Sequence, residues 1–259
     1  MTADFRSRLR RRSTVFGGWT SLGHSSITDT LAQSGVDFIG IDLEHSTISL
    51  EQAQEIIAHT QAKGLVCLPR FSSHNAEQIK RLLDSGADGV IVPMVNSAAE
   101  AQKVVEWTKY PPVGKRSYGV ARAQNYGKDF EAYTKEWNER SVVIVQIESI
   151  QAVNDIDAIL SNEWVDGVMV GPYDMSGSLG IPGQLFHPDV KAACAKVIKA
   201  CAKHNKACGT QIVDPTKQNV TEALQDGYTF VVLSSDVFLL WKWAERTNQL
   251  VQSVKNVKV

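Results

Sequence analysis

The side chains best suited to chemistry fall where short apolar runs end. Glu148 closes a run that begins at Val142, and Asp174 follows the run Gly167–Val170. Asp42 and His45 end Phe38–Leu43 and its flank, and Arg70 ends Leu65–Arg70. Buried like charges repel, and each costs several kcal/mol to desolvate, so Glu148 and Asp174 need a compensating cation. Two carboxylates with no Cys or His beside them suit a hard octahedral ion, Mg²⁺ or Mn²⁺, with about four positions left for water and substrate. The alternative is a structural network in which both pair with Arg or Lys.

His45 follows Asp42 by three residues. A carboxylate near an imidazole can set its tautomer and raise its basicity. Asp84, at the end of a helical pattern, is a second candidate partner. The bland alternative is an exposed or structural loop histidine. Arg70 follows Leu68-Pro69, and proline fixes φ, so the guanidinium is aimed from a rigid point. Its counterpart is an anion, either a protein carboxylate or a substrate oxyanion. The small-residue segment Gly171-Pro172-Tyr173-Asp174-Met175-Ser176-Gly177-Ser178-Leu179-Gly180 offers backbone N–H groups for an anion at a helix start, or a plain turn. No Gly-Lys-Ser/Thr follows, so it is not a P-loop, and it lacks the dinucleotide fingerprint. A Schiff-base aldolase needs a lysine at these ends. None of the ends at His45, Arg70, Pro93, Glu148 or Asp174 has one, which favours a metal mechanism over an imine. The remaining histidines, His24, His59, His74, His187 and His204, lie in helical patterns or turns and read as structural.

Eight apolar, β-branched runs must position these residues. They are Thr14–Leu22, Phe38–Leu43, Leu65–Arg70, Gly89–Pro93, Val142–Ile147, Gly167–Val170, Ala207–Val213 and Phe230–Leu233. Helical spacing fills the gaps at Ser25–Ser34, Ser49–Lys63, Asn75–Ser85, Ser97–Lys109, Ile150–Leu160, Asp189–His204, Thr216–Gln225 and Asp236–Val251. Turn phrases such as Ser34-Gly35-Val36-Asp37 and Ser85-Gly86-Ala87-Asp88 recur before strands. Strand-helix units repeated eight times in 259 residues are the arithmetic of a single-domain (β/α)8 TIM barrel, an α/β fold, with an open doubly wound sheet as runner-up. The irregular stretch Tyr110–Arg140, with a short helix near Phe130–Asn138, reads as an elaborated loop after strand four, and long loops are usually functional.

Composition narrows the partners. The 27 basic and 28 acidic residues leave a net charge of −1, and 43% of residues are apolar. That excludes a disordered chain and disfavours a general nucleic-acid binder. No run approaches the roughly 18 apolar residues of a membrane span. The N-terminus lacks the apolar stretch of a signal peptide and carries Arg6, Arg8, Arg10, Arg11 and Arg12. That cluster reads as a solvated or subunit-facing helix within residues 1–13, with a nucleic-acid or acidic-membrane contact as the alternative. Cys67, Cys194, Cys201 and Cys208 contain no Cys-x-x-Cys and read as reduced core residues of a cytoplasmic protein.

These motifs together resemble a known family. Gly40-Ile41-Asp42-Leu43-Glu44-His45 and Leu68-Pro69-Arg70 are similar to its early motifs, and Ile79-Lys80-Arg81-Leu82-Leu83-Asp84-Ser85-Gly86-Ala87 and Val92-Pro93-Met94-Val95 to its middle. Gln146-Ile147-Glu148 and Val170-Gly171-Pro172-Tyr173-Asp174-Met175-Ser176 are similar to its metal site. The family is the HpcH/HpaI class II pyruvate aldolases, which include 4-hydroxy-2-oxoheptanedioate and 2-keto-3-deoxyrhamnonate aldolases, and the resemblance runs through residues 14–240. It implies a divalent metal, Mg²⁺, Mn²⁺ or Co²⁺, on Glu148 and Asp174. It implies His45 as the base, coupled to Asp42 and Asp84, and Arg70 steadying an enolate. Gln146, Gly171, Pro172, Tyr173 and Arg70 would surround the 2-oxo acid, with an aldehyde as the second product. It further implies a homohexamer, a trimer of dimers exchanging the helix in 236–259. Tyr173 stands where many relatives have Ala. The stretch Tyr118–Gly127 also differs from the best-known members, which bears on the aldehyde. The rival activity on the same residues is metal-dependent decarboxylation of an oxaloacetate-type acid. A phosphosugar isomerase-type barrel and a non-enzymatic binding barrel are further alternatives.

Overall fold

Alternation within the apolar runs decides which way each strand faces. The computed structural model describes residues 2–255; residue 1 of the expected N-terminal helix and residues 256–259 of the expected last helix lie outside the described residues. The runs form β1 (Val15–Thr20), β2 (Phe38–Asp42), β3 (Val66–Arg70), β4 (Gly89–Val92), β5 (Val142–Ile147), β6 (Gly167–Val170), β7 (Ala207–Ile212) and β8 (Phe230–Leu233). Each pairs in parallel with the next, and β8 returns to β1, so the sheet closes in chain order. The fold is thus the expected (β/α)8 barrel and not the open doubly wound sheet.

Every second strand residue points inward. Val15, Phe38, Val66, Leu68, Ile91, Val142, Ile144, Met169, Phe230 and Val232 make the dry interior. Their neighbours Val90, Val143, Val145, Val168 and Cys208 face the helices. The interior is narrow enough that glycine makes room for rings: a Cβ at Gly17 would overlap Phe38, one at Gly40 would overlap Trp19, and one at Gly209 would overlap Phe230.

Around the barrel run α2 (Ser25–Leu31), α3 (Leu50–Ala62), α4 (Ala76–Asp84), α5 (Ala98–Thr108), α6 (Phe130–Arg140), α7 (Ile150–Asn154), α8 (Ile156–Leu160), α9 (Pro172–Ser178), α10 (Pro188–Lys203), α11 (Lys217–Asp226) and α12 (Asp236–Lys255). Ser49, Asn75, Ser97 and Thr216 cap α3, α4, α5 and α11 with side-chain oxygens on first-turn N–H groups. Among the described residues, no helix is long and apolar enough to cross a membrane.

α1 (Thr2–Arg10) plugs the end where the strands begin. Phe5 and Leu9 join the interior cluster, with the Phe5 and Phe38 ring centroids 5.6 Å apart. Arg11 stays exposed, as a solvated helix would have it, but the other arginines are tied to the barrel. Arg6 and Arg10 each donate to Asp166 Oδ1 at 2.9 Å, and Arg8 donates to Asp37 Oδ1 at 2.7 Å. Arg12 donates to the Lys206 and Gly227 carbonyls. Asp37, Asp166 and Lys206 each directly precede a strand, so these bonds clamp α1 to the N-terminal rim. The four cysteines are unpaired; Cys67, Cys201 and Cys208 are buried and Cys194 is partly buried, as expected for core residues.

Two local readings change, and one alternative is decided in favour of a helix start. The helix expected over Ile150–Leu160 breaks at Asp155, whose carboxylate leaves the helical pattern to accept the Ala98 N–H at 2.7 Å. Part of the small-residue segment is a true helix, α9, with Pro172 at its first position. The stretch Tyr110–Arg140 contains a 3-10 turn at Arg122–Gly127 before α6, and it does not cover the C-terminal mouth. Arg122 donates to Gln61 near the end of α3 and to the carbonyl of Ser85 just past α4, at 2.9 and 3.0 Å. Both helix ends lie on the N-terminal rim, because each helix runs antiparallel to the strand before it. The expected bearing of Tyr118–Gly127 on the aldehyde therefore finds no support within one chain.

Candidate active site

The alternation that places Phe38 and Gly40 inside carries Asp42 inside at the opposite, C-terminal mouth. The same parity carries Trp19, Arg70 and Gln146 there, and places Glu148 one step above Gln146. Arg70 is gripped from several sides. Its Nε and Nη2 donate to Asp42 Oδ1 and Oδ2 at 3.1 and 2.7 Å. Its Nη1 lies 3.3 Å from Glu44 Oε2, and its guanidinium carbon sits 5.2 Å from the Trp19 ring centroid. Asp42 Oδ1 also accepts the backbone N–H groups of Glu44 and His45, both at 3.1 Å. Burial pushes the Asp42 carboxyl up, but the Arg70 charge and these hydrogen bonds outweigh it, and the group is held below its ordinary value. The anion that Arg70 meets in the chain by itself is thus a protein carboxylate. Its forked geometry leaves one edge, Nη1, directed at Glu44.

Glu148 is 6% exposed. Its Oε2 accepts the Met94 N–H at 2.8 Å and its Oε1 accepts Gln146 Nε2 at 3.0 Å. Burial pushes its carboxyl up to about 7; the Asp174 and Glu44 charges add to that, while the Met94 N–H and Arg70 oppose it. Asp174 projects from the first turn of α9 and is exposed. Gly171 separates the two acids. An ideal Cβ there would lie 3.1 Å from Glu148 Oε1 and 3.1 Å from Asp174 Oδ2, so both oxygens flank one point against bare backbone.

These residues fit a hard cation. Two carboxylates share a small-residue cradle. Glu44 Oε2 and Gln146 Oε1 are buried acceptors without a hydrogen-bond partner, so the mouth is short of positive groups. Four carboxylates, Asp42, Glu44, Glu148 and Asp174, face a single guanidinium. Among the described residues no three His, Cys, Asp or Glu side chains close on one point, so a cation held by Glu148 and Asp174 would keep its other positions for water and substrate. A cation on Glu148 must displace its proton. Because that carboxyl titrates near 7, Mn²⁺ affinity should fall by up to about tenfold per pH unit as pH drops below neutrality. Titration calorimetry from pH 8 to 5.5 checks this; a flat affinity would mean that Glu148 is already ionised without the ion.

Other expected members are placed differently. The His45 ring is 72% exposed at the mouth, and its closest acid is Glu44, with Nε2 and Oε2 3.8 Å apart. Asp42 binds the His45 backbone, not its ring. Asp84 ends α4 at the N-terminal rim, where its Oδ1 accepts Arg116 Nη2 at 2.7 Å. The chain by itself does not bring Asp84 to His45, because α4 spans the barrel between them. The Gly171 N–H is taken by the Ile147 carbonyl at 3.2 Å and Pro172 has none, so the first-turn donors of α9 left for an anion are Tyr173 and Asp174. The Tyr173 ring is 63% exposed. The other histidines are structural as expected: His24 and His187 cap helices, His59 faces Asp29, His204 bonds Asp157 and His74 bonds the Pro93 carbonyl. Glu44, Trp19 and Met94 carried no expectation. Strand parity signals Glu44 and Trp19, while nothing local signals the Met94 N–H.

The HpcH/HpaI aldolase/citrate lyase family matches residues 16–242, which span every strand but the first residue of β1 and every residue of this mouth. The chain belongs to this family. Its aldolase members are carbon–carbon lyases, and the full-length relatives at about 34% identity are aldolases, so the enzyme class and the family expected from the motifs hold. Over 255 residues the chain is 34% identical to 2-keto-3-deoxy-L-rhamnonate aldolase from Klebsiella pneumoniae, covering 98% of this chain and 94% of that one. It is 33% identical to hydroxypyruvate/pyruvate aldolase from Roseobacter denitrificans, covering 91% and 92%. An HpcH/HpaI family protein from Burkholderia cenocepacia has the same fold in its crystal structure, with a TM-score of 0.90, 29% identity, and 96% and 99% of the two chains covered. In (β/α)8 barrel enzymes generally, the strand ends that converge at the C-terminal mouth carry the chemistry.

Proposed function

We propose that this protein catalyses the reversible aldol cleavage of a 4-hydroxy-2-oxo acid to pyruvate and an aldehyde. Its substrate is of the 2-keto-3-deoxy sugar acid or 4-hydroxy-2-oxoheptanedioate type. The observation that carries the reading is the buried Glu148 facing Asp174 across Gly171, with Arg70 clamped beside them. Glu148 and Asp174 would hold Mg²⁺, Mn²⁺ or Co²⁺, a Lewis acid for the 2-oxo acid. The names of the two curated relatives support pyruvate as the common product.

The chain's own residues then have these tasks. The Tyr173 and Asp174 N–H groups, at the positive end of α9, bind the substrate carboxylate, and Gln146 holds Glu148 in place from below. Pro172 presets the first turn of α9, and Gly171 leaves the space. His45, exposed at the rim and fixed through its backbone by Asp42, takes the proton of the C4 hydroxyl. The C3–C4 bond breaks, the aldehyde leaves, and the electron pair passes to the pyruvate enolate oxygen. Arg70 donates from Nη1 to that oxygen. Protonation at C3 yields pyruvate. Asp84 serves only from outside its own barrel mouth.

The assembly is proposed as a hexamer of cytoplasmic enzyme subunits. α12 supports association between copies, though not their number: only Asp236 of it is buried, and Leu239, Leu240, Trp241, Trp243 and Leu250 are exposed, a face that exchange with a second copy would cover.

The test is a screen of aldehyde acceptors with pyruvate and Mn²⁺, read by product mass. Wild-type protein should form a 4-hydroxy-2-oxo acid. Glu148→Gln should weaken Mn²⁺ binding by about 10-fold or more and lose the product with it. Decarboxylation of oxaloacetate without any aldol product would overturn the reading.

A further inference from the structure

The loop between β4 and α5 is tied more firmly than a connector requires. Met94 has φ +52°, a left-handed conformation that glycine adopts freely and other residues seldom do. That conformation turns its N–H onto Glu148 Oε2 at 2.8 Å. Asn96 holds the turn from the other side. Its Nδ2 donates to the Met94 carbonyl at 2.9 Å, and its Oδ1 accepts the hydroxyl of Ser149, the residue next to Glu148. Asn96 is itself fixed, because its N–H donates to Glu100 Oε2 at 2.6 Å in the first turn of α5. The Val95 N–H on the Gln146 carbonyl, at 3.2 Å, and His74 on the Pro93 carbonyl, at 2.7 Å, complete the lacing. Strained residues persist only where their surroundings over-determine them. Here the surroundings converge on one strand end.

We infer that Asn96 is a positioning residue for Glu148. By keeping Met94 left-handed and joining that turn to Ser149, it aims the Glu148 carboxylate at the point it shares with Asp174. A side chain this far from substrate affects the reaction only through the cation that Glu148 grips, so the inference rests on the metal-dependent reading above. It gives a strained methionine and an asparagine outside the mouth a common purpose.

Mn²⁺ titration calorimetry on the intact protein tests it, with the thermal unfolding midpoint recorded for each variant. Asn96→Ala should weaken Mn²⁺ binding by about 10-fold, the scale of a lost support to a metal ligand. Asn96→Ala combined with Met94→Gly should return the affinity to within about threefold of wild type, because glycine keeps the left-handed turn unaided. A merely structural Asn96 would show no such rescue. Unchanged affinity in Asn96→Ala overturns the inference. So does a double variant that folds and still binds weakly, which also decides the matter if the single variant fails to fold. A Glu148→Gln variant that binds Mn²⁺ as well as wild type would instead overturn the metal reading itself.

Discussion

Arg70→Ala is expected to lower kcat by about 10²–10³-fold, the scale of removing one fixed donor from a developing oxyanion. The geometry explains why so much rests on one side chain. Asp42 uses two guanidinium nitrogens as a fork, and the Trp19 ring covers a face, so the group is held before substrate arrives. A preset donor does not spend free energy reorganising during the reaction. In the proposed reaction the lost contact belongs to the enolate, so KM for the 2-oxo acid should change much less than kcat. The fold should survive, since Arg70 lies at the open mouth and not in the apolar interior. Asp42 would then lose its counter-ion, and its carboxyl should rise, because burial is no longer outweighed. Arg70→Lys should recover only part of the activity, since an ammonium cannot reproduce the fork to Asp42. Steady-state kinetics of both variants, with circular dichroism as a fold control, measure the changes in kcat and KM. Turnover near wild type in Arg70→Ala would remove the enolate role.

Exhaustive chelation is expected to abolish activity, with a loss of about 10³-fold or more, since a Lewis acid at such a site is worth several kcal/mol. Adding back Mg²⁺, Mn²⁺ or Co²⁺ should restore it. The alternative electron sink in an aldolase is a lysine imine, and among the described residues no lysine joins the mouth assembled from Asp42, Glu44, Arg70, Gln146, Glu148 and Asp174. Buried Lys109 lies at the other rim, where its Nζ donates to the Asn138 and Ser141 carbonyls at 2.8 Å. Borohydride with pyruvate should therefore leave activity intact. Full activity after chelation, or inactivation by borohydride, would reject the two-carboxylate site. The acidic excess at the mouth gives the physical reason: burial and the neighbouring charges hold Glu148 near 7, and a divalent ion relieves that cost where a proton otherwise must.

Much of the architecture could be read along the chain. The eight strands were legible because parallel strands buried on both faces leave continuous β-branched runs, and the helices because Ser49, Asn75, Ser97 and Thr216 mark their starts. Glu148, Asp174, Asp42 and Arg70 were legible for a related reason: each interrupts or ends an apolar run, where a charge without a task is costly. Glu44 was on the page as well, since it shares the parity of Asp42. The segments that misled were those whose meaning depends on direction. The arginines of α1 look like a solvated patch until Asp37 and Asp166 meet them. Within one chain, α4 carries Asp84 to the far rim, and the bonds of Arg122 to Gln61 and Ser85 hold the Tyr118–Gly127 stretch there.

What the chain order decided alone, then, is which residues form each strand and helix, because periodic burial and capping act over one or a few turns. Closure of the barrel decided the rest. It turned Asp42, Arg70, Gln146 and Glu148 from distant strand ends into neighbours, sent Asp84 away from them, and set Met94 in a conformation that its side chain does not favour. Such choices come from contacts between segments tens of residues apart, whose free energies no local pattern records.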